Sequence, residues 1–149
     1  MNLSKWIFFL LIPFISGSFS APPSSGGTHD ITIKITNVRN KKGRIQLQLY
    51  RTGKSFAAET PYKQYYVSKK SLNNKTVTYT IYGLKTGTYG VALLDDENAN
   101  KEMDYSWMMP NEGFGFSDYY HTAWSKPKFS QFKFSLSSNK SVTMKVRYM

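Results

Sequence analysis

The sequence predicts an all-β protein, a single antiparallel β-sandwich of about seven strands with one long acidic loop. Short runs in which apolar and polar residues alternate recur along the chain. Turns rich in glycine, asparagine and lysine separate these runs at regular intervals. No stretch has a helical period of useful length. These three observations together are typical of an antiparallel sandwich.

The first two strands are predicted at residues 31–36 and 44–49. Each carries three apolar residues at alternate positions, and a polar turn ending at Gly43 joins them as a hairpin would. Residues 52–62 have no clean period, so we expect a loop with one helical turn around Phe56. A weaker strand follows at residues 65–72.

The clearest β pattern covers residues 76–81, where Val77, Tyr79 and Ile81 share one face and threonines the other. The next strand, residues 89–94, runs directly into the acidic loop. Phe132 and Phe134 alternate with polar residues beyond that loop. The final predicted strand covers residues 142–148.

The N-terminus predicts export. Lys5 precedes an apolar run at residues 6–15, and small residues follow it, as in a signal peptide cleaved after Ser20. The run is about half of the ~20 residues that a bilayer requires, so no transmembrane segment is expected after cleavage. We therefore predict a signal peptide at residues 1–20, a flexible linker at 21–29 and one domain at 30–149, located outside the cell or in the periplasm or cell envelope.

The sequence contains no cysteine. Disulfides, thiolate metal sites and a cysteine nucleophile are therefore excluded, and a lipid anchor on an N-terminal cysteine is not expected. An exported domain without disulfides must be stabilised by packing, which fits an aromatic content of 16%.

Charge is distributed unevenly. The acidic loop, residues 95–118, contains seven of the nine acidic residues and one lysine, a charge of −6, although the whole chain carries +11. Without the signal peptide and this loop, 18 basic residues face two acidic ones. Such an excess attracts anionic partners, although scattered lysines also serve solubility.

The acidic loop predicts a Ca²⁺ site. Oxygen-bearing side chains occupy every second position from Asp96 to Asp104, which lets a tight loop direct several oxygens inward. Lys101 stands where a helix-flanked calcium loop has glycine, and Trp107 where it has a bidentate glutamate, so Glu112 would have to replace that ligand. The alternative is a loop whose side chains cap its own amides without an ion. The predicted ligands are Asp96, Asn98, Asn100, Glu102, Asp104 and Glu112.

Aromatic residues gather around the same loop. Such side chains either pack the loop onto the sandwich or bind a partner protein or a glycan at the cell envelope. A nucleic-acid partner is not expected, because export argues against it and the aromatics lie where the acid is. The aromatics are Tyr105, Trp107, Tyr119, Tyr120 and Trp124.

No catalytic residues are predicted. Ser117, Asp118 and His121 lie close in sequence, but no nucleophile elbow accompanies them. Gly113-Phe-Gly-Phe lacks the third glycine of a phosphate-binding loop, and we expect its glycines to let the backbone turn. The sequence favours an exported, non-catalytic binding or structural module with a Ca²⁺-stabilised loop. The alternative is a basic surface that binds an anionic glycan or lipid, with the acidic loop purely structural.

The loop and its flanks resemble a known family. The run from Tyr89, Val91 and Ala92 through the acidic Asx repeat to Pro110-Asn-Glu-Gly-Phe-Gly-Phe-Ser117 is similar to the signature of secreted bacterial proteins grouped as domain of unknown function 2141. The resemblance covers most of residues 31–148. It implies an immunoglobulin- or transthyretin-like sandwich and no established activity.

Overall fold

The computed structural model describes residues 26–149. The predicted signal peptide, residues 1–20, lies outside the described residues, as do residues 21–25 of the predicted linker. The first strand begins at Thr28, so the last two residues of that linker belong to a sheet. Between residues 26 and 149, no helix has the length and apolar character needed to cross a membrane.

Residues 26–149 contain ten strands and two short helices. The acidic loop is more structured than expected, because it includes three of the short strands. In chain order the elements are β1 Thr28–Thr36, β2 Arg44–Tyr50, α1 Gly53–Ala57, β3 Lys63–Ser68, β4 Val77–Lys85, β5 Gly87–Asp96, β6 Tyr105–Ser106, β7 Met109–Pro110, β8 Gly113–Phe116, α2 Phe129–Phe132, β9 Phe134–Leu136 and β10 Lys140–Lys145.

Two sheets form the sandwich, and the all-β prediction is confirmed. The first has the order β10-β1-β4, and the second has the order β3-β2-β5-β8, with β9 paired to the start of β5. Pairing is antiparallel except between β1 and β10, which run parallel with Ile31 opposite Lys140. This pair is the one departure from the predicted antiparallel pairing among the described strands. Two parallel neighbouring strands need a crossover connection. Here the chain forms the strands of the second sheet after β1 and then returns to the first sheet as β10.

The main core lies between the two sheets. Strand residues that alternate along the sequence point into it, and burying one such side chain contributes about 1.5–3 kcal/mol. The alternation seen in the sequence therefore predicts the inner face correctly. Fully buried members include Ile31, Ile33, Ile35, Ile45, Leu47, Leu49, Val91, Met144 and Val146.

A second, aromatic cluster covers part of the outer face of the second sheet. Phe56 of α1 packs edge-on against Tyr50, Phe116 and Phe132. The helical turn predicted at Phe56 is confirmed, and Thr52 Oγ1 caps it by accepting a hydrogen bond from Ser55 N. Phe132 belongs to α2 rather than to a strand as predicted. Phe129 and Phe132 are three residues apart, so one helical turn places both against the cluster.

Three boundaries also differ from the sequence interpretation. The weak strand predicted at residues 65–72 is β3, which ends at Ser68 and is followed by a 3₁₀ turn at Lys69–Ser71. The last strand ends at Lys145. The Gly113–Phe116 segment is strand β8 rather than a turn. A Cβ at Gly113 would lie 2.4 Å from the Val146 and Tyr148 side chains, so glycine is needed there for close packing.

Candidate ion site and outer groove

The acidic loop begins at the end of β5, where two consecutive aspartates point to opposite sides of the sheet. Asp95 faces the inner side and is completely buried. Its Oδ1 lies 2.5 Å from Lys69 Nζ, and its Oδ2 accepts a hydrogen bond of 2.6 Å from the Tyr148 hydroxyl. Both oxygens of the Asp95 carboxylate therefore have partners within the protein, and the residue has a structural role.

Asp96 lies on the outer face, and Glu112 immediately precedes the neighbouring strand β8. The β5–β8 register places Asp95 opposite Gly113, so extending it by one residue places Glu112 opposite Asp96. Both side chains are buried, with Asp96 0% and Glu112 4% exposed. Like charges directly opposite each other on neighbouring strands are destabilising. This pair therefore requires a compensating charge or a proton.

Each of the two carboxylates has one oxygen with partners and one without. Asp96 Oδ2 accepts hydrogen bonds of 3.1 Å from Arg44 Nε and from the Lys101 amide. Glu112 Oε1 accepts one of 2.8 Å from the Glu97 amide. Asp96 Oδ1 and Glu112 Oε2 are buried and have no partner within hydrogen-bonding geometry, although the Asp104 amide lies close enough to the Glu112 carboxyl group to affect its pKa. Buried polar atoms without partners are rare in native proteins, so these two oxygens distinguish Asp96 and Glu112 from the other carboxylates of the loop.

The electrostatic surroundings of Glu112 agree with this geometry. Burial raises the pKa of its carboxyl group, and the charges of Asp104 and Asp96 raise it further, while the amides of Glu97 and Asp104 lower it. The net direction is upward. Asp96 and Asp104 therefore lie close enough to Glu112 for their charges to oppose its ionisation.

The other predicted ligands are arranged differently. Asn98 Nδ2 and Asn100 Nδ2 donate to the two oxygens of Asp104, at 2.5 and 3.0 Å. The amide oxygens of both asparagines accept hydrogen bonds from backbone amides, those of Asn100 and Glu102. The Glu102 side chain is exposed. The structure thus places Asp96 and Glu112 at opposite positions of neighbouring segments and holds Asn98, Asn100 and Asp104 as a separate hydrogen-bonded group.

Within residues 26–149 no three acidic or histidine side chains form a ready-made metal cluster. An ion held by Asp96 and Glu112 would take its remaining ligands from carbonyl groups or water. Sequence reasoning missed the cations that pair with the loop, namely Arg39, Arg44 and Lys69. Lys69 lies in a 3₁₀ turn far along the chain from Asp95, so no local pattern could have indicated it.

The residues considered for catalysis do not contact one another through their side chains. Ser117 Oγ donates to Phe132 O at 2.7 Å, and Asp118 Oδ1 accepts from the Thr143 amide at 2.7 Å. His121 Nε2 lies 2.6 Å from Ser125 O, the geometry of a donor to a carbonyl. Each of the three side chains is therefore engaged with the backbone.

A groove with a volume of about 670 Å³ crosses the outer face of the second sheet. We call it the outer groove. Gln46 and Gln48 of β2, Leu94 of β5 and Phe114 of β8 line its floor. The acidic loop forms one wall, and residues 121–127 form the other. The outer face of the sheet is thus only partly covered by the aromatic cluster.

The aromatic residues predicted to gather around the acidic loop lie at this groove and beside it. Tyr105 and Trp124 line it and are 65% and 79% exposed. Trp107 and Met108 form the tip of the β6–β7 hairpin, with positive φ values of 49° and 67°. These side chains do not pack the loop onto the sandwich. Tyr119, in contrast, packs against the aromatic cluster.

The family comparison agrees with this architecture. The model of the uncharacterised bacterial family DUF2141, described as a protein conserved in bacteria, matches residues 33–145. The chain belongs to the DUF2141 family. The region that matches the DUF2141 model runs from β1 to the end of β10. It therefore includes strands of both sheets, the acidic loop and most of the outer groove. No curated protein and no solved structure matches the chain.

Proposed function

We propose that this protein is an exported, non-catalytic binding module whose acidic loop is stabilised by a Ca²⁺ ion between Asp96 and Glu112. The observation that carries the proposal is the pair of buried, opposed carboxylates, each with an oxygen that has no partner. Ca²⁺ prefers carboxylate, carbonyl and water oxygens, and it neutralises repulsion that Arg44 alone only partly offsets. Export is supported by the signal-like N-terminus.

The affinity should be modest. A site with two buried carboxylates, and with Asp104 close enough to influence Glu112 electrostatically, falls in the weak extracellular range of about 10⁻⁴–10⁻³ M. Such a site is filled where calcium is plentiful outside the cytoplasm. In about 10 mM Ca²⁺ that affinity corresponds to about 1.4–2.7 kcal/mol of added stability.

Glu112→Gln tests the proposal directly. The amide oxygen of glutamine still accepts the Glu97 amide, but the charge facing Asp96 disappears. We expect the variant to be more stable than the wild type in a chelator and to lose the calcium-dependent rise in melting temperature. Glu59→Gln is the matched control, since Glu59 is exposed and outside the loop.

Calorimetric titration with Ca²⁺ and thermal unfolding supply the readouts. Asp96→Ala combined with Asp104→Ala should abolish binding as well. The proposal would be overturned if about 10 mM Ca²⁺ left the melting temperature of the wild type unchanged. It would also be overturned if Ca²⁺ raised the melting temperature of the Glu112→Gln variant as much as that of the wild type. In the first case a proton shared by the two carboxylates becomes the explanation, and it would show as a loss of stability on raising the pH.

A second candidate function has its own support. Three carboxylates at the start of the loop already pair with protein cations: Asp95 with Lys69, Asp96 with Arg44 and Glu97 with Arg39. This favours a purely structural loop, with the basic surface binding an anionic glycan or lipid. Binding to anionic vesicles would then weaken steeply with increasing salt concentration and would not change when a chelator removes Ca²⁺.

A further inference from the structure

The outer groove has a polar floor with an unused acceptor. Gln46 is 2% exposed, lines the groove, and its Oε1 has no hydrogen-bond partner. Its neighbour on the same face, Gln48, accepts a hydrogen bond of 2.8 Å from the Tyr50 hydroxyl. Leaving a buried acceptor without a donor costs about 1–3 kcal/mol. Because this oxygen is shielded from solvent, a ligand hydroxyl reaches it only after the side chains that cover it shift, and the hydrogen bond would then recover that free energy.

The walls of the groove offer flat apolar surfaces above this floor. Trp124 lies on one wall and Tyr105 on the other, and both are largely exposed. Rigid aromatic side chains supply contact area at a low entropic cost. A pyranose ring combines an apolar face of C–H groups with a rim of hydroxyls, so it matches aromatic walls and an amide floor at once.

The charges at the groove select against a strongly ionic ligand. Its charged side chains are Glu59, Glu102, Lys101 and Lys126, two of each sign. Lys126 also pairs with Glu59 at 2.7 Å. The groove therefore lacks the excess of one charge that a polyanion or a cation would require.

The topology also argues against an extended peptide as the ligand. Peptides that add to a sheet bind along a free strand edge through backbone hydrogen bonds. β2 and β5 are interior strands, because β2 pairs with β3 and β5, and β5 pairs with β2 and β8. The edge strand β8 exchanges backbone hydrogen bonds with Arg147 at Phe114. The backbone groups of β2 and β5 are occupied, and the floor presents only side chains.

We propose that the outer groove binds a neutral oligosaccharide. Trp124 and Tyr105 stack on sugar rings, and Gln46 accepts a hydrogen bond from a sugar hydroxyl. This inference rests on the proposed function, because the acidic loop forms one wall of the groove and the Ca²⁺ ion holds that loop in place.

Binding of neutral hexasaccharides to the mature protein tests the inference. The probes are the hexasaccharides of glucose in α and β linkage, of xylose and of N-acetylglucosamine, measured by calorimetry and tryptophan fluorescence. We expect at least one to bind with a Kd between about 10⁻⁶ and 10⁻³ M. Trp124→Ala should weaken it at least about tenfold, the usual scale for a central aromatic contact. Trp107→Ala is the matched control, since Trp107 is 97% exposed and outside the groove lining.

Gln46→Leu separates binding from structure. Leucine removes the buried acceptor without a partner, so the variant should keep or gain stability while losing sugar affinity. If Gln46 had only a structural role, the variant would lose stability and keep its affinity for the sugar. The inference is overturned if no hexasaccharide binds at about 10 mM, if Trp124→Ala binds as the wild type does, or if only an apolar decapeptide binds.

The two proposals fail in distinguishable ways. Each hexasaccharide is titrated in Ca²⁺ and in a chelator. If Ca²⁺ does not change the melting temperature but the sugar binds equally in both conditions, the ion site is contradicted and sugar binding in the outer groove is supported. A protein stabilised by Ca²⁺ that binds no sugar in either condition contradicts the groove alone.

Discussion

Lys69 and Asp95 form an ion pair that is completely buried at the inner end of β5. Lys69 Nζ lies 2.5 Å from Asp95 Oδ1, and neither side chain is accessible to solvent. The Tyr148 hydroxyl satisfies the second carboxylate oxygen. The pair therefore ties three distant parts of the chain together: the turn after β3, the end of β5 and the C-terminal segment.

We expect Lys69→Met to destabilise the protein strongly. Removing one partner leaves Asp95 as an uncompensated buried charge, and such changes cost about 3–5 kcal/mol. Urea unfolding at neutral pH measures the change. Lys126→Met is the matched control, because Lys126 pairs with Glu59 at the surface and exposed pairs contribute about 0–1 kcal/mol. Equal effects of the two substitutions would contradict the structural role of the buried pair.

Gly113→Ala should also destabilise the protein. The added Cβ would lie 2.4 Å from side-chain atoms of Val146 and Tyr148, and both must move. Overpacking of this kind costs about 1–3 kcal/mol. Gly53→Ala serves as the control, since its Cβ would meet only Phe129 at an ordinary 3.6 Å. Chemical denaturation that ranks the two variants equally would show that β8 does not require close packing.

The β6–β7 hairpin should become more stable when its tip is changed to Asn-Gly. Trp107 and Met108 both have positive φ, which costs ordinary residues about 1–2 kcal/mol each and which asparagine and glycine tolerate. We expect Trp107→Asn with Met108→Gly to raise stability by about 1 kcal/mol, seen as a higher melting temperature. Replacing both residues by alanine removes the same side chains but keeps the strain. That control should therefore bring no gain.

Alkaline pH should destabilise the fold through buried tyrosines. Burial and the charge of Glu59 raise the pKa of Tyr50 to about 12. Burial and the hydrogen bond to Asp95 also raise the pKa of Tyr148. A folded-state pKa above the unfolded value of about 10 gives stability that is complete below pH 10 and is lost as pH rises toward the folded value.

Urea unfolding across the alkaline range measures this effect, with phenolate absorbance reporting ionisation. Tyr50→Phe should flatten the loss of stability between about pH 10 and 12. Tyr82→Phe is the control, because Tyr82 is 73% exposed. If both variants follow the wild-type profile, Tyr50 does not control the alkaline limit.

The sequence by itself determined the local features of this protein. Period-two alternation marked the inner faces of β1, β2 and β4, because a strand with one buried face must alternate. The capped turn at Phe56 and the charge of the acidic loop were also readable, since each depends on neighbouring residues. The resemblance to DUF2141 rested on the same local motifs, and the family comparison confirmed it.

Only the tertiary structure decided which distant residues meet. Asp95 and Asp96 are adjacent in the sequence, but their side chains lie on opposite faces of the sheet, where Asp95 pairs with Lys69 and Asp96 with Arg44. The parallel pairing of β1 with β10 and the groove over Gln46 depend on contacts between residues far apart in sequence. Such contacts are set by how whole sheets pack and by where buried charges find partners, and local periodicity carries no information about either.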